Sequence, residues 1–207
     1  MTRQAVVTGG SGGIGSAVVS LLREQGWHVT SLSRREGCDV SDEAQVKMAF
    51  ARFDGLDALV HCAAVLIKKP FAELTAGEWD EQLGGDLRGA FLCGREAFRL
   101  MHGRGGSIVL VSSLSGVAGA EKFAGMAAYV AAKSGLAGLT EALAVEGRPD
   151  RIRVNAVSPG AVDTEMLSIA GVEGPKLKPE QVAGVIAWLA SAESEPLSGA
   201  NLRFDPY

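Results

Sequence analysis

The chain has little of what usually marks chemistry at a glance. Its 207 residues include three cysteines and three histidines. Cys38, Cys62 and Cys93 are odd in number, widely spaced and set in apolar or strand-like surroundings. That pattern argues against a disulfide framework and for buried thiols in a reducing compartment. His28, His61 and His102 are scattered, so no metal-ligand spacing is present. Positive charge is not in excess either: the formal net charge is −4. Nucleic acid and anionic membrane surfaces need a clustered positive field and are therefore not expected partners. Every apolar run is broken by Gly, Ser or charge before the roughly 18 residues that a spanning helix requires. No basic-then-apolar leader opens the sequence. The expectation is a soluble, cytoplasmic protein that works on small molecules, with no membrane and no nucleic acid.

What is present is apolar bulk in a regular order. A hydrophobic content of 47% with 21% charged residues suits one well-buried domain spanning residues 1–207. Short runs rich in Val, Ile and Leu, at 4–10, 27–33, 57–64, 107–113 and 151–160, end in Gly, Ser or Ala and read as buried parallel strands. Between them, 13–26, 41–53, 78–101, 127–147 and 178–193 have helical patterning. Strand alternating with helix implies an α/β fold, a doubly wound parallel sheet covered by helices on both faces.

The first strand runs into Thr-Gly-Gly-Ser-Gly-Gly-Ile-Gly, residues 8 to 15. A strand-to-helix turn that lets a pyrophosphate approach the backbone needs residues without Cβ atoms, and the helix start offers free N–H groups and a positive dipole end. Gly9, Gly13 and Gly15 meet that need, although a glycine pattern alone is also what an unliganded flexible turn shows.

The spacing Thr8-Gly9-x-x-x-Gly13-Ile14-Gly15 resembles that of the short-chain dehydrogenase/reductase family, and the resemblance extends along nearly the whole chain. Asp39-Val40 looks like the adenine-side pair, 59–64 like the Asn-Asn-Ala-Gly strand end, and 108–113 like the catalytic-serine strand. Tyr129 and Lys133 match Tyr-x-x-x-Lys, and 158–164 matches the Pro-Gly-x-x-x-Thr loop. The resemblance implies a Rossmann-like sheet and reversible hydride transfer between NADP(H) and a carbonyl or alcohol. Ser113 would orient the carbonyl, with Ser112 and Ser115 as turn serines, Tyr129 would donate the proton, and Lys133 would support the tyrosine and hold the nicotinamide ribose. Residues i and i+4 share a helix face. A lysine ammonium about 4 Å away, at an effective dielectric of about 20, stabilises a phenolate by about 4 kcal/mol, roughly three pKa units. Thr8, Gly9, Ser11, Gly13, Ile14 and Gly15 would cradle the phosphates. Cys62, Ala63 and Ala64 would approach the cofactor, and Pro159, Gly160, Val162 and Thr164 would hold the carboxamide. At the end of the second strand stands Ser33-Arg34-Arg35 rather than an acid, and a guanidinium suits a 2′-phosphate. NADP(H) is therefore preferred, with NAD(H) still open.

Departures from the family pattern qualify these expectations. Seven residues after Trp79, where the family carries an asparagine that orders a proton-relay water, stands Asp86. Two roles are open to it: pairing with Lys133 against the tyrosine, or passing the proton itself. His61-Cys62 replaces the two asparagines at the strand end. Three residues separate Arg35 from Asp39, too few for the dozen or more of a parallel crossover, so the family's third strand is reduced or missing. The segment from Thr164 to Pro179 is short, implying an open substrate side, and Phe-Asp-Pro-Tyr replaces the usual Asp-Gly-Gly ending. A cofactor-binding sensor or scaffold with little turnover is the alternative function, and an epimerase or dehydratase would need a longer C-terminal domain. Small and apolar residues on more than one face of 86–101 and 129–146 point to a homodimer or homotetramer.

Overall fold

The computed structural model describes residues 2–171 and 173–205; Pro206 and Tyr207, the end of the Phe-Asp-Pro-Tyr terminus, lie outside the described residues. Six parallel strands form one sheet in the order β2-β1-β3-β4-β5-β6: β1 (Gln4–Thr8), β2 (His28–Leu32), β3 (Ala58–His61), β4 (Gly106–Val111), β5 (Ile152–Pro159) and β6 (Asn201–Phe204). Their side chains alternate between two apolar layers, which is why the strands read as continuous Val, Ile and Leu runs. On one face Ala5, Val7 and Val60 pack against Val18 and Leu22 of α1 (Gly13–Glu24) and Val182 and Ile186 of α7 (Pro179–Ala190). On the other, Val6, Leu59 and Ile108 pack against Val46 of α2 (Glu43–Phe50), Leu92 of α4 (Gly89–Met101) and Leu136 of α5 (Ala127–Glu146).

The expected loss of a strand is what the sheet shows. After β2 the chain makes a short 3-10 turn, Arg34–Glu36, and enters α2 directly, so β2 is an edge strand. Two elements were not read from the sequence: β6, which pairs with β5 from Ala156–Asn201 to Pro159–Phe204, and the short helix α6 (Glu165–Ala170). The helix expected over 78–101 is divided. It consists of α3 (Ala76–Leu83), a five-residue π turn over Gly84–Arg88, and α4. The extra residue in that wide turn swings Asp86 inward, and such turns are frequent at functional sites. No helix among the described residues is long and apolar enough to cross a membrane.

The strand order reverses between β2-β1 and β1-β3, and the crevice beyond the carboxyl ends at such a switch point is where doubly wound folds bind ligands.

Candidate active site

A cleft of about 1530 Å³ opens along the carboxyl edge of the sheet, larger than the several hundred Å³ typical of a single small-molecule site. One end is the glycine turn. Gly9 has φ +67°, and a Cβ there would lie 2.7 Å from the Ala63 nitrogen at the end of β3. A Cβ on Gly15 would collide with the Gly9 carbonyl, and one on Gly13 with the Thr164 side chain, whereas Gly12 faces near-open space. The turn is thus squeezed between the β3 end and the loop after β5. α1 begins at Gly13 with no side-chain cap and no acid in its first turn, and Ser16 is the first residue whose N–H is taken, by the Gly12 carbonyl. An uncapped helix start facing a cleft fits a pyrophosphate.

Ser11, Ile14, Ser33, Arg34, Asp39 and Val40 line this end. Asp39 Oδ1 accepts from the Ser41 N–H and hydroxyl, which fixes the carboxylate at the entry to α2. Ser33 is held from behind by Glu36, whose Oε2 accepts from the Ser33 hydroxyl at 2.6 Å and the Ser31 hydroxyl at 2.7 Å. Glu36 had no signal in the sequence, because only the 3-10 turn brings it back onto β2.

The middle of the cleft is built by α5 packed against the end of β4. A Cβ on Gly116 would come within 2.5 Å of the Lys133 backbone. The Ser112 hydroxyl donates to the Lys133 carbonyl at 2.8 Å, and the Ser134 hydroxyl to the Gly116 carbonyl at 3.0 Å. Ser112 is therefore a structural clasp, as expected. Ser113, Tyr129 and Lys133 all line the cleft, with Cys62, Ala63, Ala64, Pro159, Gly160, Val162 and Thr164 around them. Tyr129 is buried but for its cleft-facing edge, 9% exposed. Desolvation pushes the Cys62 thiol up to about 12, so it stays protonated and offers no nucleophile.

Two predicted residues lie beneath the cleft rather than in its wall. Thr8 is fully buried, and its hydroxyl accepts from the Ala63 N–H at 3.2 Å, so it shapes the β3 end without lining the cleft. Asp86 is also fully buried. Its Oδ1 accepts from the Val65 N–H at 2.8 Å, its Oδ2 accepts from Gln82 Nε2 at 3.0 Å, and Lys133 Nζ stands 3.6 Å from Oδ2. Burial pushes the Asp86 pKa up, against the pull of Lys133 and the two N–H donors. Burial also acts to discharge Lys133, but the Asp86 and Tyr129 charges outweigh it and raise its pKa. With every carboxylate oxygen met by a donor, we read the pair as ionised, ammonium on carboxylate. Lys133 Nζ further donates to the Val111 carbonyl at 3.0 Å and lies 5.5 Å from the Tyr129 ring centroid.

His61 links these parts. Its Nε2 lies 3.1 Å from the Asp86 carbonyl and its Nδ1 2.9 Å from the Thr8 hydroxyl. A carbonyl only accepts, so Nε2 carries the proton and Nδ1 accepts from Thr8. Burial first, then the Lys133 charge, lowers its pKa to about 3. The ring is neutral and, in place of an asparagine, ties the end of β1 to the Gly84–Arg88 turn. Gln82 was also missed, although its i, i+4 spacing to Asp86 was a usable signal. Among the described residues no group of three or more His, Cys, Asp or Glu could hold a metal.

The segment after Val162 folds back through a parallel bridge between Val162 and Leu177, enclosing α6. Short as it is, it supplies Met166, Leu167 and Ile169 to the cleft.

Comparisons with known proteins bear on the family and the fold. Residues 34–206 match the family model described as enoyl-(acyl carrier protein) reductase. Cis-4-hydroxycyclohexanecarboxylate dehydrogenase of Sinomonas cyclohexanicum is 37% identical over 98% of this chain and 95% of its own length. Acetoacetyl-CoA reductase of Allochromatium vinosum is 32% identical over 98% and 96%. Among solved structures, a short-chain type dehydrogenase/reductase from Mycobacterium marinum superposes with a TM-score of 0.89 at 28% identity, covering 98% of this chain and 94% of that one.

Proposed function

The chain belongs to the short-chain dehydrogenase/reductase family of oxidoreductases, and from that premise we propose that it transfers a hydride reversibly between NADP(H) and a carbonyl or alcohol substrate, with residues 1–207 acting as one catalytic domain. The observation that carries the reading is the meeting of Ser113, Tyr129 and Lys133 in one cleft whose far end is an uncapped helix start.

Bound cofactor would supply or accept the hydride at the substrate carbon. The remaining work falls to the chain itself. N–H groups of Gly13, Ile14 and Gly15 would hold the pyrophosphate, and Arg34 would pair with the 2′-phosphate. The Ser113 hydroxyl donates to the substrate oxygen and orients the carbonyl. The Tyr129 hydroxyl gives its proton to that oxygen in reduction and takes it back in oxidation. Lys133, pinned by Val111 and Asp86, keeps a positive charge beside the tyrosine and favours the phenolate form that proton transfer creates. Asp86 acts through Lys133 and is a positioning residue. The named activities of the Sinomonas and Allochromatium relatives support a hydroxyl-to-carbonyl interconversion.

A cofactor-binding sensor or scaffold is the second reading, favoured by Asp86 competing for the lysine charge. Oxidation of NADPH by a panel of ketones and quinones separates the two: turnover with any of them carries the first, and binding without turnover the second. A homodimer or homotetramer belongs to the same proposal, supported by Phe91 on α4 and Val145 on α5, 48% and 59% exposed. The free thiols suit a cytoplasmic setting.

A further inference from the structure

Three segments converge over the end of the cleft that holds Ser113 and Tyr129. The Lys69 N–H donates to the Gly125 carbonyl at 2.8 Å, joining the segment after β3 to the one before α5. Next to it, the Lys68 ammonium donates to the Ala170 carbonyl at 2.6 Å, joining the same segment to α6. The wall so formed is apolar, with Ile67, Phe123, Met126, Met166 and Ile169 lining it. Acids outnumber cations among the ionisable side chains that line the cleft beyond the β2 end. Glu121, Glu165 and Glu173 line the cleft, Glu121 next to Phe123 in sequence and Glu165 next to Met166, and Asp205 packs so closely on Gly160 that a Cβ there would collide with its carboxylate. The cations of the cleft lie elsewhere: Arg34 and Arg35 follow β2, Arg88 donates to the Ser41 carbonyl, and Lys133 faces Asp86. Of the lysines that flank the mouth, Lys68 is held by Ala170 and Lys122 by the Val117 and Ala120 carbonyls.

We infer that the substrate end of the cleft selects an uncharged, largely apolar ketone or secondary alcohol and rejects the same skeleton carrying a carboxylate or phosphate. The inference rests on the hydride-transfer reading and names its substrate class. A neutral ring or chain seated against Met126 and Ile67 gains from leaving water, whereas an anion there gives up its hydration against apolar side chains, with the nearby Lys68 ammonium already bonded to the Ala170 carbonyl. The exposed acids add repulsion that salt screens.

The test uses matched methyl ester and free acid pairs of cyclic, aryl and acyclic keto acids, for example methyl 4-oxocyclohexanecarboxylate and its acid, with NADPH and the full chain. The ester is expected to exceed the acid in kcat/KM by about tenfold or more at low ionic strength, as several weak surface repulsions together would produce. High salt and the triple variant E121Q/E165Q/E173Q are each expected to narrow that ratio. Acid turnover equal to or better than ester overturns the inference and leaves hydride transfer standing. If that preference vanishes in Lys68→Ala, Lys68 is an anion receptor instead. An ester preference insensitive to both salt and the triple variant overturns the acidic-rim account. No turnover of any pair by protein that binds NADPH overturns this inference and the hydride-transfer reading together.

Discussion

Asp86 was legible as a departure from the family pattern, but its consequence needed neighbours that sequence does not display. An asparagine looks harmless in its place until Gln82 is seen: Oε1 of Gln82 accepts from the Ile67 N–H and Nε2 donates to the Val65 carbonyl, so the amide cannot flip. In Asp86→Asn the new NH2 would face Gln82 Nε2 in one orientation and the Val65 N–H in the other, donor against donor either way. The expected cost is about 1–3 kcal/mol of stability, read as a lower Tm at neutral pH. The Lys133 pKa is raised in the folded protein, so the stability it contributes is complete below its unfolded value and lost as pH rises through its folded one. Removing Asp86 also moves the loss of the ammonium to lower pH, and the alkaline limb of the pH–rate profile should move with it. An unchanged Tm and alkaline limb would contradict this. Arg34 is simpler, because exposed arginine at the cleft wall needs no neighbour to act. Arg34→Ala is expected to raise the KM for NADPH by about 10- to 100-fold, in line with loss of a charge-assisted hydrogen bond, and to leave that for NADH nearly unmoved. Equal effects on both would refute the 2′-phosphate assignment.

At the scale of elements, the strand runs and most helices were legible because a buried parallel strand and an amphipathic helix have distinct periods. The shortfall of residues between Arg35 and Asp39 disclosed the missing strand for a geometric reason, since chain length limits a crossover. The broken helix at Gly84–Arg88 and the short α6 were not legible, since neither changes the apolar period enough to register. What holds the break in place is His61 at the end of β3. Its folded pKa lies near 3, below the ordinary 6.5, so the stability it contributes is full above about pH 6.5 and lost as pH falls towards 3. His61→Asn is expected to lower Tm at pH 7, because the Thr8 hydroxyl or the Asp86 carbonyl loses its partner. The gap from the wild type should then shrink between pH 6.5 and 4. A gap constant with pH would show that the buried ring does not resist protonation.

For the molecule as a whole, the glycine turn, the Tyr129–Lys133 pair and the loop to Thr164 are far apart in sequence yet line one cleft, because each follows the carboxyl end of a strand in the same parallel sheet. The fold class and most of the cleft wall could be read from motifs in order. The acids of the cleft could not, because Glu121, Glu165, Glu173 and Asp205 line one cavity only once the segment before α5, the β5–α7 connection and the C-terminal end are folded against the sheet. The central claim is that Tyr129 moves the proton in a cleft that binds NADP(H) independently of it. Its most direct test is single-turnover reduction of any active ketone by Tyr129→Phe, with NADPH affinity measured on the same protein. The account predicts NADPH binding within a few-fold of wild type, since the ring still packs, and a chemical step slower by about two to four orders of magnitude. A Tyr129→Phe protein that binds NADPH and transfers hydride at the wild-type rate would contradict it.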